Sequence, residues 1–157
     1  MSEVKRALKL IVMDVDGTLT DGMINIGENG EVFKSFYCRD GLGILRAIEA
    51  GLVPVILTSR ISEIVNRRAA ELGITHIYQG FKQNKAEKLT ALLLEMGVDA
   101  TQVAYIGDDM NDLACMHLCG ISGCPADAVD DIKAVADFIS KKDGGHGAVR
   151  EFIEFLL

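Results

Sequence analysis

Short apolar runs alternate with helix-length amphipathic segments along the whole chain, and this alternation limits the possible folds. Residues 8–13, Val53–Leu57 and Val103–Ile106 have the length and the β-branched content of buried strands. Strands that alternate with helices form a mostly parallel sheet with helices on both faces. We therefore predict a doubly wound α/β fold, in a single domain over residues 1–157.

Turn and cap residues set the predicted boundaries of the other elements. Asp40 and Asn84 are expected to cap helices, and Gly51, Gly73 and Gly97 are expected to end them. The predicted helices cover residues 40–50, 61–72, 84–96, 113–119, 127–135 and 148–156, and the further predicted strands cover 75–78, 120–122 and 137–139. The sequence Glu28-Asn29-Gly30 lies between two apolar-containing runs and predicts a β-hairpin within residues 23–37. This hairpin is the one element that breaks the alternation.

The charge of the chain restricts its partners. The net charge is −7, which argues against nucleic acid and anionic membranes as main partners. We expect no signal peptide, because residues 1–9 are charged and the apolar run after them is short, and no segment approaches the length of a membrane span. The four cysteines follow no disulfide pattern, so we expect reduced thiols in a cytoplasmic protein.

Polar residues follow three of the predicted strands within a few residues. Asp14 and Asp16 follow the first strand, Thr58 follows the second, and Asp108 follows a later one. The carboxyl ends of parallel strands meet at one edge of a sheet, where α/β proteins bind ligands. Carboxylates brought together there repel one another unless a cation is present, and oxygen ligands favour Mg²⁺ over zinc. The sequence therefore predicts a Mg²⁺ site at this edge.

The same residues supply the parts that phosphoryl transfer needs. A carboxylate can attack phosphorus, a hydroxyl and an ammonium such as those of Thr58 and Lys85 can hold the phosphoryl oxygens, and Asp16 is placed to protonate the leaving group. Each residue also has a plainer interpretation. Thr58 and Ser59 could cap the next helix, Lys85 could be a solvated surface lysine, and Asp108 could belong to a turn.

Four motifs together resemble those of the haloacid dehalogenase superfamily of phosphatases. They are Asp14-Val15-Asp16-Gly17-Thr18, Leu57-Thr58-Ser59-Arg60, Lys85, and Gly107-Asp108-Asp109-Met110-Asn111-Asp112. The resemblance covers essentially the whole chain and implies a Rossmann-like core. It implies that Asp14 is the nucleophile, that Asp16 is the general acid and base, and that Thr58 and Lys85 hold the phosphoryl group.

The resemblance also implies the ligands of the metal. Asp14, the backbone carbonyl of Asp16 and Asp108 are expected to bind Mg²⁺, with Asp109 and Asp112 as supporting residues around Lys85 and the waters on the metal. The predicted hairpin and one helix fill the segment between the first two motifs. We therefore expect no separate cap domain over the site.

Within this superfamily the chain is similar to capless, tetrameric phosphatases of 2-keto-3-deoxy sugar acid phosphates, above all of 3-deoxy-D-manno-octulosonate 8-phosphate. The similarity is carried by residues 21–30, 39–44, 72–80, 144–145 and 147–151. It implies a small sugar phosphate substrate, a role in lipopolysaccharide precursor synthesis, and a homotetramer in which the hairpin packs between subunits. The residues expected to bind the substrate are Asp16, Tyr37, Cys38, Arg39, Asp40, Gly41, Ser59, Arg60, Arg68 and Lys85.

Two departures from that pattern leave alternatives open. Leu45 and His146 stand where the octulosonate enzymes carry arginines, which keeps 9-phosphates of nine-carbon, sialic-type sugar acids in consideration. Arg60 favours the octulosonate, because a glutamate tends to occupy its position in the nine-carbon enzymes. A non-catalytic assembly module is a further alternative, as is a receiver-type signalling domain, although receivers carry the phosphorylated aspartate on a middle strand.

Overall fold

The computed structural model describes residues 7–157, and its centre is a sheet of six strands. The strands of this sheet are β1 (Leu10–Met13), β4 (Val53–Leu57), β5 (His76–Tyr78), β6 (Val103–Ile106), β7 (Ile121–Cys124) and β8 (Phe138–Ile139). All neighbours pair in parallel, in the order β5-β4-β1-β6-β7-β8. The predicted doubly wound, mostly parallel sheet is confirmed.

The described chain has six helices, of which five lie between strands and the last follows β8. They are α1 (Cys38–Glu49), α2 (Glu63–Glu71), α3 (Lys85–Met96), α4 (Leu113–Leu118), α5 (Asp130–Val135) and α6 (Ala148–Leu156). Short 3₁₀ turns cover Ala100–Gln102 and Met110–Asp112. None of the helices that the structure describes has both the length and the apolar character needed to cross a membrane. Residues 1–6, on which the expectation of no signal peptide partly rests, lie outside the described residues.

Alternating side chains of the sheet build two hydrophobic cores. Ile11 and Met13 of β1 point to one face, where they pack with residues of α1, α2 and α6 such as Ile44 and Phe152. Successive side chains of a strand point to opposite faces, so the neighbours of these residues enter the other core. Each fully buried side chain of this kind contributes roughly 1.5–3 kcal/mol.

The second core lies on the opposite face of the same strands. Leu10 and Val12 of β1 pack there with Leu89 of α3, Met116 of α4 and Ile132 of α5. Because β1 is covered on both faces, it is fully apolar rather than alternating, as the sequence pattern indicated.

A separate two-stranded hairpin follows β1. Its strands are β2 (Asn25–Gly27) and β3 (Gly30–Phe33), which pair antiparallel around the predicted turn. Within residues 14–52, all of which the structure describes, this hairpin and α1 are the only regular elements. A cap domain has no place in this segment, as expected.

One predicted cap was wrong. Helix α1 begins at Cys38 instead of after Asp40, and Tyr37 is its N-cap residue. The Asp40 carboxylate is buried and accepts a hydrogen bond of 2.8 Å from the backbone N–H of Arg150 in the first turn of α6. The N-cap of α6 is Gly147, which has no side chain to cap its own helix. Asp40 therefore caps α6 across the α1–α6 contact.

Candidate active site

Three neighbouring strands deliver the predicted site residues to one edge of the sheet. Asp14 follows β1, Thr58 follows β4, and Asp108 lies two residues past β6. These strands are adjacent in the order β4-β1-β6, so their carboxyl ends meet. A cleft of about 140 Å³ opens there, lined by Asp14, Asp16, Thr58, Ser59, Arg60, Asp108, Asp109 and Asn111. The structure thus brings the catalytic and metal candidates into one place.

The acids at this edge form a compact cluster. One oxygen each of Asp14, Asp108 and Asp112 lie within 4.8 Å of one another. Burial and then the charge of Asp112 raise the pKa of Asp14 to about 6, although Lys85 acts in the opposite direction. Burial and the charges of Asp14 and Asp112 raise the pKa of Asp108 to about 8. Such an oxygen-only cluster, short of positive charge, fits a hard divalent cation such as Mg²⁺.

Lys85 supplies the positive charge beside the nucleophile candidate. It is the first residue of α3 and is 1% exposed. Its Nζ donates hydrogen bonds of 2.7 Å to Asp14 Oδ1 and to Asp112 Oδ1. Burial disfavours the charged amine, but the two carboxylates outweigh it and raise the pKa of Lys85. Lys85 therefore stays cationic and holds the Asp14 carboxylate in place.

Asp112 positions its neighbours. Its Oδ1 accepts a hydrogen bond of 2.6 Å from the Tyr105 hydroxyl, in addition to the bond from Lys85. Its Oδ2 accepts the backbone N–H of Asp108 at 3.0 Å. Both oxygens of Asp112 are thus engaged, which ties the loop carrying Asp108 to Lys85. Asp109 lies at the outer side, where it caps the 3₁₀ turn by accepting the N–H of Met110 at 2.7 Å.

The loop after β1 depends on a glycine. Gly17 has a φ of 93°, and a Cβ on it would lie 2.0 Å from Asp108 Oδ2. Only glycine combines this backbone conformation with so close an approach. The next residue, Thr18, donates its hydroxyl to Asp108 Oδ1 at 2.9 Å. The Asp14–Thr18 loop and the Asp108 loop are therefore fitted to each other.

The loop after β4 forms another wall of the cleft. The backbone of Thr58 is held by Tyr78, whose carbonyl accepts its N–H at 2.9 Å, and by Phe81, whose N–H donates to its carbonyl at 3.2 Å. The Ser59 hydroxyl accepts a hydrogen bond of 2.8 Å from the Asn111 side chain, which connects this wall to the Asp108 loop. Arg60 is exposed at the rim.

Several residues of the site have roles that were not predicted from the sequence, although Thr18 and Asn111 belong to the motifs quoted above. Lys34 forms an ion pair with Asp16, Tyr105 binds Asp112, and Thr18 and Asn111 bridge the loops. Tyr105 could have been noticed, because it is a polar-tipped residue inside an apolar strand, and such a tip needs a partner when buried. Nothing in the sequence around Lys34 indicates a role in the site, since only the folding of the hairpin brings its side chain to Asp16.

The remaining substrate-binding candidates lie outside the cleft in the single chain. Tyr37 and Arg39 line a separate hollow with Lys142, His146 and Arg150. Arg68 pairs with Glu71 at 3.0 Å and lies over the Phe36 ring, 5.9 Å from its centroid. Of the others, Cys38 is exposed, Gly41 lies against Arg68, and Asp40 caps α6. Their role in substrate binding stays a prediction.

Known proteins resemble this chain over nearly its full length. Residues 57–153 match the model of the haloacid dehalogenase-like hydrolase family. The 3-deoxy-D-manno-octulosonate 8-phosphate phosphatase of Escherichia coli K12 is 42% identical over 150 residues, which are 96% of this chain and 79% of that protein.

Solved structures of similar proteins have the same architecture. The cobalt-bound octulosonate phosphatase of Haemophilus influenzae is 41% identical, with a TM-score of 0.94, and the match covers 99% of this chain and 90% of that one. The enzyme from Moraxella catarrhalis, in complex with magnesium, phosphate and 3-deoxy-D-manno-octulosonate, is 41% identical, with a TM-score of 0.93, over 100% of this chain and 91% of that one.

Proposed function

Because this chain belongs to the haloacid dehalogenase-like hydrolases, we propose that it is a Mg²⁺-dependent phosphatase of 3-deoxy-D-manno-octulosonate 8-phosphate. The observation that carries the proposal is the meeting of Asp14 and Asp108 at an open cleft, with the buried Lys85 bound to Asp14. The identity with octulosonate phosphatases supports the choice of substrate, and with it a role in lipopolysaccharide precursor synthesis.

The proposed metal ligands are the side chains of Asp14 and Asp108 and the backbone carbonyl of Asp16. When bound, Mg²⁺ supplies positive charge that offsets the charge of the phosphoryl oxygens and of these carboxylates. The similar enzyme from Moraxella catarrhalis contains magnesium and phosphate together with the sugar acid, which supports this choice of ion.

The proposed chemistry runs in two steps through an aspartyl-phosphate. An oxygen of Asp14 bonds to phosphorus while the bond from phosphorus to the sugar oxygen breaks, and Asp16 donates a proton to that oxygen. Asp16 then takes a proton from water, whose oxygen attacks phosphorus and releases Asp14. The Thr58 hydroxyl and the Lys85 ammonium stabilise the phosphoryl oxygens throughout.

The proposed assembly is a homotetramer in which the hairpin packs between subunits. Met23, Ile26, Val32 and Phe33 of this region are 67%, 68%, 60% and 52% exposed in the single chain. So many large apolar side chains on one small hairpin are typical of an interface. A neighbouring subunit would also narrow the open cleft. The proposed compartment is the cytoplasm, which suits the buried free thiols of Cys115 and Cys124.

A substrate panel tests the proposed function. Phosphate release is measured for octulosonate 8-phosphate, a nine-carbon sugar acid 9-phosphate and hexose phosphates, with Mg²⁺ and with EDTA. We expect the highest kcat/KM for octulosonate 8-phosphate and a loss with EDTA that Mg²⁺ restores. A preference for the nine-carbon substrate would reassign the enzyme. Absence of turnover on every substrate with Mg²⁺ bound would indicate an assembly module, and a long-lived phosphoryl group would indicate a receiver.

A further inference from the structure

The hairpin places a buried lysine beside the proposed general acid. Lys34 directly follows β3, and its side chain is 2% exposed. Its Nζ forms ion pairs with Asp16 Oδ1 and, at 3.0 Å, with Glu31 Oε1. A buried ammonium is tolerated only with such partners, so the position of Lys34 is closely determined. The mechanism described above assigns Lys34 no role.

The contact restrains one oxygen of Asp16. Lys34 contacts Oδ1, while the Asp16 side chain lines the cleft together with Asp14 and Asp108. Holding one oxygen of a carboxylate by a charge-assisted bond limits rotation of the group and so directs the second oxygen. A general acid must present its proton within hydrogen-bond reach of the leaving oxygen, and orientation errors are costly.

Lys34 is itself anchored to the body of the protein. The second carboxylate oxygen of Glu31, Oε2, accepts a hydrogen bond from the Ser62 hydroxyl. Ser62 is the N-cap residue of α2, and its backbone N–H donates to Gln79 Oε1 at 2.7 Å. A continuous polar chain therefore runs from Asp16 through the hairpin to the start of α2. The hairpin therefore holds the Asp16 side chain in position, in addition to presenting an exposed apolar surface.

We propose that Lys34 is a positioning residue that holds the Asp16 carboxylate so that Oδ2 delivers the proton to the leaving oxygen. This inference rests on the proposed function. In the step concerned, the bond from phosphorus to the leaving oxygen breaks, the proton moves from Asp16 Oδ2 to that oxygen, and Lys34 keeps all its protons. Lys34 binds Asp16 and Glu31 and is not among the residues that line the cleft, so its removal should affect proton delivery alone.

The test uses aryl phosphates whose leaving groups differ in acidity. Nitrophenolate leaves without a proton, whereas phenolate benefits from one, and neither substrate has a carboxylate that Lys34 could bind directly. The value of kcat/KM reports the steps up to cleavage of the ester. For Lys34→Met we expect kcat/KM to fall about 10- to 100-fold for phenyl phosphate but less than about threefold for p-nitrophenyl phosphate.

Reference variants make the result decisive. Asp16→Asn should show the same selectivity more strongly, and Lys34→Arg should restore part of the loss. Lys9→Met, the same change at an exposed lysine outside the hairpin, should behave as wild type. Calorimetric titration with Mg²⁺ should give the wild-type affinity for Lys34→Met. Should that variant not fold, Glu31→Gln, which removes one partner of Lys34, should shift the ratio in the same direction.

Equal losses on both aryl phosphates, or no loss on either, would overturn the inference and leave the proposed function intact. Failure of the proposed function would look different. In that case the wild-type protein itself would not hydrolyse octulosonate 8-phosphate, whatever the ratio between the aryl phosphates.

Discussion

Asp14 is buried and held in place yet lines the cleft, whereas Asp112, which Lys85 also binds, has both oxygens engaged. Asp14 is 4% exposed, and its Oδ1 is held by Lys85 at 2.7 Å, so its orientation is fixed before any substrate arrives. Burial without full neutralisation also leaves its charge poorly compensated, which favours reaction with an electrophile or a cation. Its burial, its fixed orientation and its poorly compensated charge therefore make this aspartate, rather than one of the many exposed acids, the nucleophile candidate.

The first prediction concerns Asp14→Asn. The amide can still accept a hydrogen bond from Lys85 but cannot attack phosphorus, so we expect phosphatase activity at background and no phosphorylated enzyme after acid quenching. Unfolding in urea should show that the variant is folded. Residual turnover at the wild-type rate would exclude Asp14 as the nucleophile.

The second prediction concerns pH. Asp14 and Asp108 have folded-state pKa values of about 6 and about 8, above their ordinary value of 3.8. Between the ordinary pKa of 3.8 and the folded-state pKa of each acid, the folded state binds more protons than the unfolded state. The free energy of unfolding therefore falls as pH rises through this range. We expect the Tm of the metal-free protein to fall between about pH 5 and about pH 8 more than that of Asp108→Asn.

The same experiment includes Mg²⁺. The ion competes with the protons on these carboxylates, so it should raise Tm more at the higher pH than at the lower one. Calorimetric scans with Mg²⁺ and with EDTA measure both effects. If Mg²⁺ raised Tm equally at both pH values, or raised the Tm of Asp108→Asn as much as that of the wild type, Asp14 and Asp108 would not be the metal ligands.

At the scale of elements, a carboxylate of helix α1 supports the start of helix α6, in addition to the apolar packing between them. Asp40 sits in the first turn of α1 yet satisfies a backbone donor in the first turn of α6. Helix starts leave four N–H groups without partners inside the helix, and α6 follows a glycine that cannot cap it. Asp40 therefore supplies a partner for one of these donors from a neighbouring helix.

The third prediction tests this cap. Asp40→Ala should lower the free energy of unfolding by about 1–2 kcal/mol, because the Arg150 N–H loses its partner. Asp40→Asn, whose side-chain oxygen can still accept that bond, should lose less. The control is Asp131→Ala, an exposed acid in the first turn of α5, which should change stability little. Chemical denaturation measures all three, and an Asp40→Ala variant as stable as wild type would show that the cap is dispensable.

At the scale of the whole molecule, the apolar side chains of the hairpin are unmatched within the single chain. They lie in the same hairpin region as Lys34 and Glu31, which connect the hairpin to Asp16 and Ser62. Association through this surface would bury the apolar residues and stabilise the same hairpin that holds Asp16. Assembly and activity are then expected to depend on each other.

The fourth prediction concerns the oligomer. Ile26→Lys places a charge on a side chain that is 68% exposed in β2, and burying that charge in an interface is costly. We expect sedimentation velocity to show a smaller species than the wild type, with reduced phosphatase activity. Leu94→Lys, on the 80% exposed Leu94 of α3, is the matched control and should leave the assembly unchanged. Wild-type sedimentation of Ile26→Lys would exclude the hairpin as the interface.

Predictability from the sequence differed between elements for physical reasons. The bounds of β6 agree with the predicted ones because Gln102 and Gly107 flank the strand, and the start of α6 agrees because Gly147 precedes it. Gly97, with a φ of 63°, ends α3 as predicted, since its left-handed conformation is one that glycine adopts easily. The predicted start of α1 was wrong because Asp40 does act as a cap residue, but the backbone N–H that it caps belongs to α6 and not to α1.

Local chemistry and periodicity by themselves determined the parallel sheet, the hairpin turn, and the presence of acids, a hydroxyl and a lysine at one sheet edge. These properties follow from neighbours along the chain and from the direction of parallel strands. Only the tertiary structure decided that Lys34 reaches Asp16, that Tyr105 and Asp112 hold Lys85, and that Asp40 caps α6. Such contacts join residues far apart in sequence, and burial makes each buried polar group take whichever partner the fold brings within hydrogen-bond distance.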